Sequence, residues 1–143
     1  MGECTITFGK RDKNLKFKSR KGAYAIIRDA RGRFLTIKWK EYLYLVGGGI
    51  DNNETPIDAL HREVLEETGY TIKINDFLGV AENHFTSKYY PDLSQHNLGY
   101  FYHCSLQEKV AVAQEKEPMV WATLEELEEN LFHAHQLYMV KRI

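Results

Sequence analysis

Cysteine is nearly absent. Cys4 and Cys104 are the only two in 143 residues, and neither belongs to a Cys-x-x-Cys pair. That excludes a disulfide framework, a thiol redox motif and a cysteine-built zinc site, and a reducing cytoplasm is the expected location. Only three prolines occur, with no low-complexity tract or Pro/Gly linker, so neither a disordered chain nor a divided one fits. Long apolar runs are missing as well. The longest, such as Tyr42–Val46, reach about a quarter of the ~20 residues a membrane-spanning helix needs. The polar start Met1–Lys10 lacks the apolar core of a signal peptide. Nor is there net charge to speak of, since the formal total is -1. Its distribution says more: residues 1–50 carry twelve Lys/Arg against four Asp/Glu, and residues 51–143 carry seven against sixteen. Such asymmetry points to an anionic or metal-bound partner.

What is present suits one domain over residues 1–143, with residues 1–20 as a basic N-terminal extension or edge strand. The 43% hydrophobic content is enough to build a core. Ala23–Arg28, Phe34–Trp39 and Tyr42–Val46 are rich in β-branched and aromatic residues and read as strands, the first two joined by the turn-forming Asp29–Gly32. Thr71–Ile74, Phe77–Asn83, Leu98–Ser105 and the short Met119–Ala122 continue the pattern. Ser87–Asn97 and Gln107–Lys116 are then the candidate recognition loops. Thr55 as N-cap, Pro56 at the first helical position, Asp58 three residues after the cap and Gly69 as a stop predict a helix over about 56–68. Thr123 and Glu126 have capping-box spacing, and Leu124, Leu127, Leu131 and Leu137 extend a second helix over about 124–140. The class is mixed α/β (α+β), with strands outnumbering helices. His133 and His135, two apart on that helix, would sit on different faces and decorate the surface.

The first helix carries the chemistry. Ile57, Leu60 and Val64 form a narrow core-facing stripe, and Glu63, Glu66 and Glu67 lie beside it at i, i+3, i+4 spacing. Three like charges at that spacing repel. From Asp51 to Thr68 there are six acids and one Arg, Arg62. An arbitrary Glu-Glu pair is most often a solvated helix face. Here the cluster follows Gly47-Gly48-Gly49, whose backbone can approach a ligand or metal closely, and Arg62 can orient carboxylates with its forked donors. Clustered carboxylates of this kind suit a hard divalent cation such as Mg²⁺.

Gly48, five residues, Glu54, seven residues, then Arg62-Glu63-Val64-Leu65-Glu66-Glu67-Thr68-Gly69-Tyr70 resembles the Nudix box, GX5EX7REUXEEXGU. Every glycine, glutamate and arginine of that signature is present. Tyr70 stands where an aliphatic residue is usual, and Val46 where a proline often precedes the glycines. The flanking strands and terminal helix resemble the rest of a Nudix domain over about residues 20–140. The resemblance implies an α/β/α sandwich with a mixed sheet. It also implies hydrolysis of a nucleoside diphosphate linked to another moiety (NDP-X), or of a nucleoside triphosphate, with Mg²⁺ or Mn²⁺. By the same resemblance Glu63, Glu66, Glu67 and the Gly48 carbonyl would hold metal, Arg62 and Glu54 would orient them, and Glu67 is a candidate base. Glu115 and Glu117 lie where many Nudix enzymes carry a further acidic residue, and Glu117 is the favoured one. Family precedent also allows a homodimer.

The basic half is assigned in two parts. Arg28, Lys38 and Lys40 lie on strands that in such a fold run toward the substrate, so they are candidate phosphate contacts. The stretch Lys10–Lys21 has seven bases and one acid with few stacking aromatics, and reads as a solvated edge rather than a nucleic-acid arm. Trp39, Tyr44, Phe85, Tyr89, Tyr90 and Trp121 are candidates to stack on a base. Two other functions compete with a metal-dependent hydrolase of small nucleotides: a non-catalytic nucleotide-binding regulator, and an RNA-binding or RNA-end-processing protein.

Overall fold

The computed structural model describes residues 5–143. Its strands are β1 (Ile6–Phe8), β2 (Lys16–Ile27), β3 (Phe34–Trp39), β4 (Tyr42–Gly49), β5 (Tyr70–Ser87), β6 (Tyr90–Lys109) and β7 (Met119–Ala122). Its helices are α1 (Pro56–Thr68), α2 (Leu124–Asn130) and α3 (Ala134–Val140). The strands form one mixed sheet in the order β1-β5-β6-β2-β4-β3-β7. β2 lies parallel to β6 along its whole length and antiparallel to β4 only over Gly22–Ala25. Alternation along β2 divides the core between the two faces of the sheet. Ala23, Ala25 and Ile27 pack with Leu60 and Val64 of α1 on one side, and Tyr24 and Ile26 pack with Leu127, Met139 and Val140 of α2 and α3 on the other. The result is an α/β/α sandwich. Among the described residues no helix is long and apolar enough to cross a membrane.

α1 forms where the sequence places it, because its ends are chemically defined. Thr55 Oγ1 accepts from Asp58 N at 3.1 Å, the Asp58 carboxylate accepts from Thr55 N at 3.4 Å, and Gly69 closes the helix in the left-handed region at φ 78. Leu60 and Val64 are fully buried as the stripe requires, whereas Ile57 is 43% exposed, outside the contact with the sheet.

The single C-terminal helix expected over 124–140 is a correction: the chain forms two short helices instead. The capping box of Thr123 and Glu126 starts α2 as expected. At Leu131 the backbone turns extended (φ -69, ψ 121), a bridge joins Leu131 to Leu43, and Phe132 N donates to Leu43 O at 3.0 Å. The Phe132 ring stacks on Tyr44 and meets Tyr42 and Phe85 edge-on. Docking on β4 and packing of this aromatic ring thus outweigh helix propensity over residues 131–133. The expected loop Ser87–Asn97 is also mostly strand, since β5 and β6 form a long hairpin turning at Lys88–Tyr89. The basic stretch expected as an extension or edge is in part a strand with one open edge, exposed and paired with β6 alone. Lys16–Lys21 opens β2 beside β6, and residues 1–4 fall outside the described residues.

Candidate functional site

Arg62 is the hub of the acidic helix. Its guanidinium donates to both Glu54 oxygens at 2.6 and 2.9 Å, to Glu63 at 3.0 Å, to Glu66 at 3.3 Å and to the Gly49 carbonyl at 3.0 Å. A lysine could not serve this fork, because a planar guanidinium offers five donors in fixed directions. Hydrogen bonds from Arg62 hold the Glu54 carboxyl down at about 2, and the same carboxylate raises the Arg62 pKa above its ordinary value. Burial, then proximity to Glu66, pushes Glu63 up despite the opposing pull of Arg62.

One carboxylate oxygen from each of Glu63, Glu66 and Glu115 lies within 4.8 Å of the others. The sequence favoured Glu117 for the downstream position; the cluster takes Glu115, and Glu117 lines the adjoining cavity. The reason lies in the end of α1. Its last carbonyls have no helical partner, and Glu66 O accepts from Gln114 N at 2.8 Å and Glu115 N at 3.3 Å, while Gly69 O accepts from Val110 N and Ala111 N. The loop after β6 is thereby stitched to the helix terminus, and Glu115 arrives beside Glu66. No basic residue occupies the last turn of α1. Acidic side chains at the negative end of a helix dipole are unfavourable unless a cation joins them.

Glu67 is not one of the three but stands beside them, where the charges of Glu63, Glu115 and Glu66 act on it. Its Oε1 accepts from Gly47 N at 2.8 Å, and burial pushes its carboxyl up to about 8. Gly48 lies against Glu63: a Cβ added there would meet the Glu63 carboxylate at 2.6 Å. Gly48 and Glu67 line a cavity of about 420 Å³ together with Glu115 and Glu117. The cations on that cavity are Lys18 and Arg20 of β2. Arg28, Lys38 and Lys40 do not line it; the Arg28 guanidinium lies 5.9 Å from the Phe34 ring, Lys38 is exposed, and the Lys40 ammonium sits over Trp39 and Tyr89. Lys18 and Arg20 belong to the run expected to be solvated, and both are exposed as well as lining the cavity. The available signal was period-two spacing of Lys16, Lys18 and Arg20, which puts them on one face of an extended strand.

Trp39, Tyr44, Phe85, Tyr90 and Phe132 form an aromatic part of the cavity lining. Tyr89, expected in a loop, sits in the β5–β6 turn, where it packs edge-on against Trp39 and donates to Glu41 at 2.6 Å. Beneath the rings lie the two histidines expected on the surface. That expectation is overturned: His133 is 9% exposed and His135 is fully buried. The Asn97 amide oxygen can only accept, so His135 Nε2 donates to it at 2.7 Å, and Asn97 Nδ2 donates to Tyr24 Oη at 2.8 Å. His135 Nδ1 is left buried without a partner.

This burial carries a pH prediction. Desolvation, with His133 nearby, pushes His135 down to about 3, and desolvation pushes His133 down to about 4, both from 6.5. Below pH 6.5 the unfolded chain therefore binds more protons at these sites than the folded one, so their stability contribution is complete above that pH and lost as pH falls. Glu67, with a raised pKa, acts in the opposite sense, so the measurement is a difference. Between about pH 7 and 5, urea unfolding should show the wild type losing about 2 kcal/mol relative to His135→Gln, which keeps a donor for Asn97 but cannot titrate. Parallel curves would refute it.

A model of the NUDIX domain matches residues 18–143. Among curated protein sequences none matches the chain. Among solved structures, the MutT NUDIX hydrolase from Burkholderia pseudomallei superposes with a TM-score of 0.68 at 24% identity, covering 88% of this chain and 98% of that one. The MutT protein from Methanosarcina mazei Go1 gives 0.67 at 23% identity, covering 90% and 94%. The E. coli dihydroneopterin triphosphate pyrophosphohydrolase gives 0.67 at 15% identity, covering 90% and 97%.

Proposed function

The chain belongs to the Nudix family and is a pyrophosphohydrolase of it, and from that premise we propose that it uses Mg²⁺ or Mn²⁺ to cleave the pyrophosphate bond of a nucleotide derivative. The observation that carries this reading is the cluster of Glu63, Glu66 and Glu115 oxygens within 4.8 Å beside a cavity lined by Lys18 and Arg20. Three converging carboxylates, at a helix end without a basic residue, fit a hard divalent cation. When bound, such a cation lowers the pKa of water and neutralises charge on phosphate oxygens.

The chain's own residues do the rest. Arg62 holds Glu63 and Glu66 in place while tying Glu54 and the Gly49 carbonyl to the same fork. Gly48, pressed against the Glu63 carboxylate, leaves room there because it has no side chain. Lys18 and Arg20 bind the phosphates in the same cavity, with the Arg20 guanidinium beside Gly49, and the stretch Lys16–Arg20 needs no nucleic acid to explain it. Glu67 lines the cavity with one oxygen fixed by Gly47 N, and it is the proposed acceptor of the proton that water loses on attacking phosphorus. The aromatic part of the lining takes the nucleoside.

The test is a panel of NDP-X compounds and nucleoside triphosphates incubated with the purified protein and Mg²⁺ or Mn²⁺, with phosphate read after phosphatase coupling. Turnover that disappears on chelation is expected. No turnover of any compound with either metal would overturn the hydrolase reading.

A further inference from the structure

Most polar side chains on the floor of the cavity are already engaged. His96 uses both ring nitrogens, Nδ1 with Ser19 Oγ at 2.7 Å and Nε2 with Glu82 at 2.7 Å. Asn97 uses its oxygen on His135 and its amide nitrogen on Tyr24. Two side chains differ. Gln136 is 1% exposed, and its Oε1 accepts from Leu45 N at 2.9 Å. A backbone N–H can only donate, so the amide oxygen is fixed there and Nε2 points away with its hydrogens unpaired. His133 Nδ1 takes a hydrogen bond from Asn83 Nδ2 at 3.0 Å, so the neutral ring carries its proton on Nε2. Neither nitrogen is sealed in protein. Among the described residues, the buried side-chain atoms without a partner are Nδ1 of His84 and of His135 only, and both His133 and Gln136 line the cavity.

The floor beneath the aromatic rings therefore offers two fixed donors. Donors held in fixed positions on a cavity favour a ligand that supplies two acceptors, because little ordering remains to be done when the hydrogen bonds form. Tyr44 stacks on Phe132 at 5.6 Å between centroids, and Phe85 stands edge-on to both Phe132 and His133, so the space above suits a flat ring. Guanine presents adjacent acceptors, O6 and N7, on one edge, whereas adenine presents a donor beside its N7 acceptor. We propose that this cavity selects guanine nucleotides through His133 Nε2–H and Gln136 Nε2–H donated to the O6/N7 edge of the base. The inference rests on the nucleotide-hydrolase reading for the identity of the ligand. It makes His133 and Gln136 specificity-determining residues, remote from the acidic helix.

The experiment is calorimetric titration of the full chain with GMP, AMP, 7-deaza-GMP and 8-oxo-GMP, none of which has a pyrophosphate bond to cleave. The 7-deaza compound lacks the N7 acceptor, and in 8-oxoguanine N7 carries a proton. GMP should bind at least about 10-fold more tightly than each of the other three. His133→Phe, which keeps a flat ring but removes the Nε2 donor, should erase the preference. Equal binding of GMP and AMP, no loss with 7-deaza-GMP, tighter binding of 8-oxo-GMP, or no binding of any monophosphate would overturn the proposal. Should His133→Phe fail to fold, the ligand series on the wild type still decides. Guanine-selective binding without turnover of any NDP-X would sink the hydrolase reading and leave this one standing; turnover without base preference would do the reverse.

Discussion

Replacing Glu66 with glutamine is expected to lower kcat by at least about 10²–10³-fold while nucleotide monophosphate binding stays within a few-fold of wild type. The side chain keeps its shape and its i, i+4 position relative to Arg62, so the loss isolates the charge. In the absence of metal the variant should melt at the same temperature or higher, because one of three mutually repelling carboxylates is gone. Addition of Mg²⁺ should then raise the melting temperature of the wild type and raise that of the variant less, since only ligands that bind the folded state stabilise it. A variant with full activity, or an undiminished Mg²⁺ shift, would remove Glu66 from the metal site. The same pair of measurements separates the two downstream acids. Glu115→Gln should reduce both activity and the Mg²⁺ shift, and Glu117→Gln should have the smaller effect on the shift because Glu117 is not part of the cluster.

The acidic helix was legible in the sequence because everything that defines it is local. Thr55, Pro56, Asp58 and Gly69 set its ends, and spacing alone put Glu63, Glu66 and Glu67 together with Arg62. Three other features were not local and were misread or missed. Glu115 reaches the cluster through hydrogen bonds to the orphan carbonyls of α1, which depend on where the loop after β6 lands. Lys18 and Arg20 reach the cavity because β4 covers only Gly22–Ala25 of β2, leaving the start of the strand beside the site. His133 and His135 are buried because the chain breaks its helix at Leu131 to dock Phe132 on Leu43 and Tyr44, turning a leucine-spaced amphipathic segment into two short helices. Periodicity could not show that break, since Leu124, Leu127 and Leu131 keep helical spacing right up to it.

The glycines test whether fold and site can be separated one residue at a time. Gly47 has φ +133, and a Cβ there would lie 2.1 Å from Ala23 O and 2.8 Å from Tyr24 Cα, both backbone atoms of the paired strand β2. Neither can yield without breaking the β2–β4 register, so Gly47→Ala should lose about 3 kcal/mol or more by urea unfolding. It should also displace the Gly47 N–H from Glu67 and lower activity beyond what the unfolded fraction explains. Gly48 is the contrasting neighbour. Its backbone needs no left-handed conformation, and the atoms nearest an added Cβ, at 2.6–2.9 Å, all belong to the Glu63 carboxylate end, which can swing aside. Gly48→Ala should therefore keep most of its stability and lose metal affinity, seen as a rightward shift of the Mg²⁺ activation curve. If Gly47→Ala melts like wild type, the close approach of β4 to β2 is wrong. If Gly48→Ala shifts the melt but not the Mg²⁺ curve, Gly48 serves the strand rather than the carboxylates.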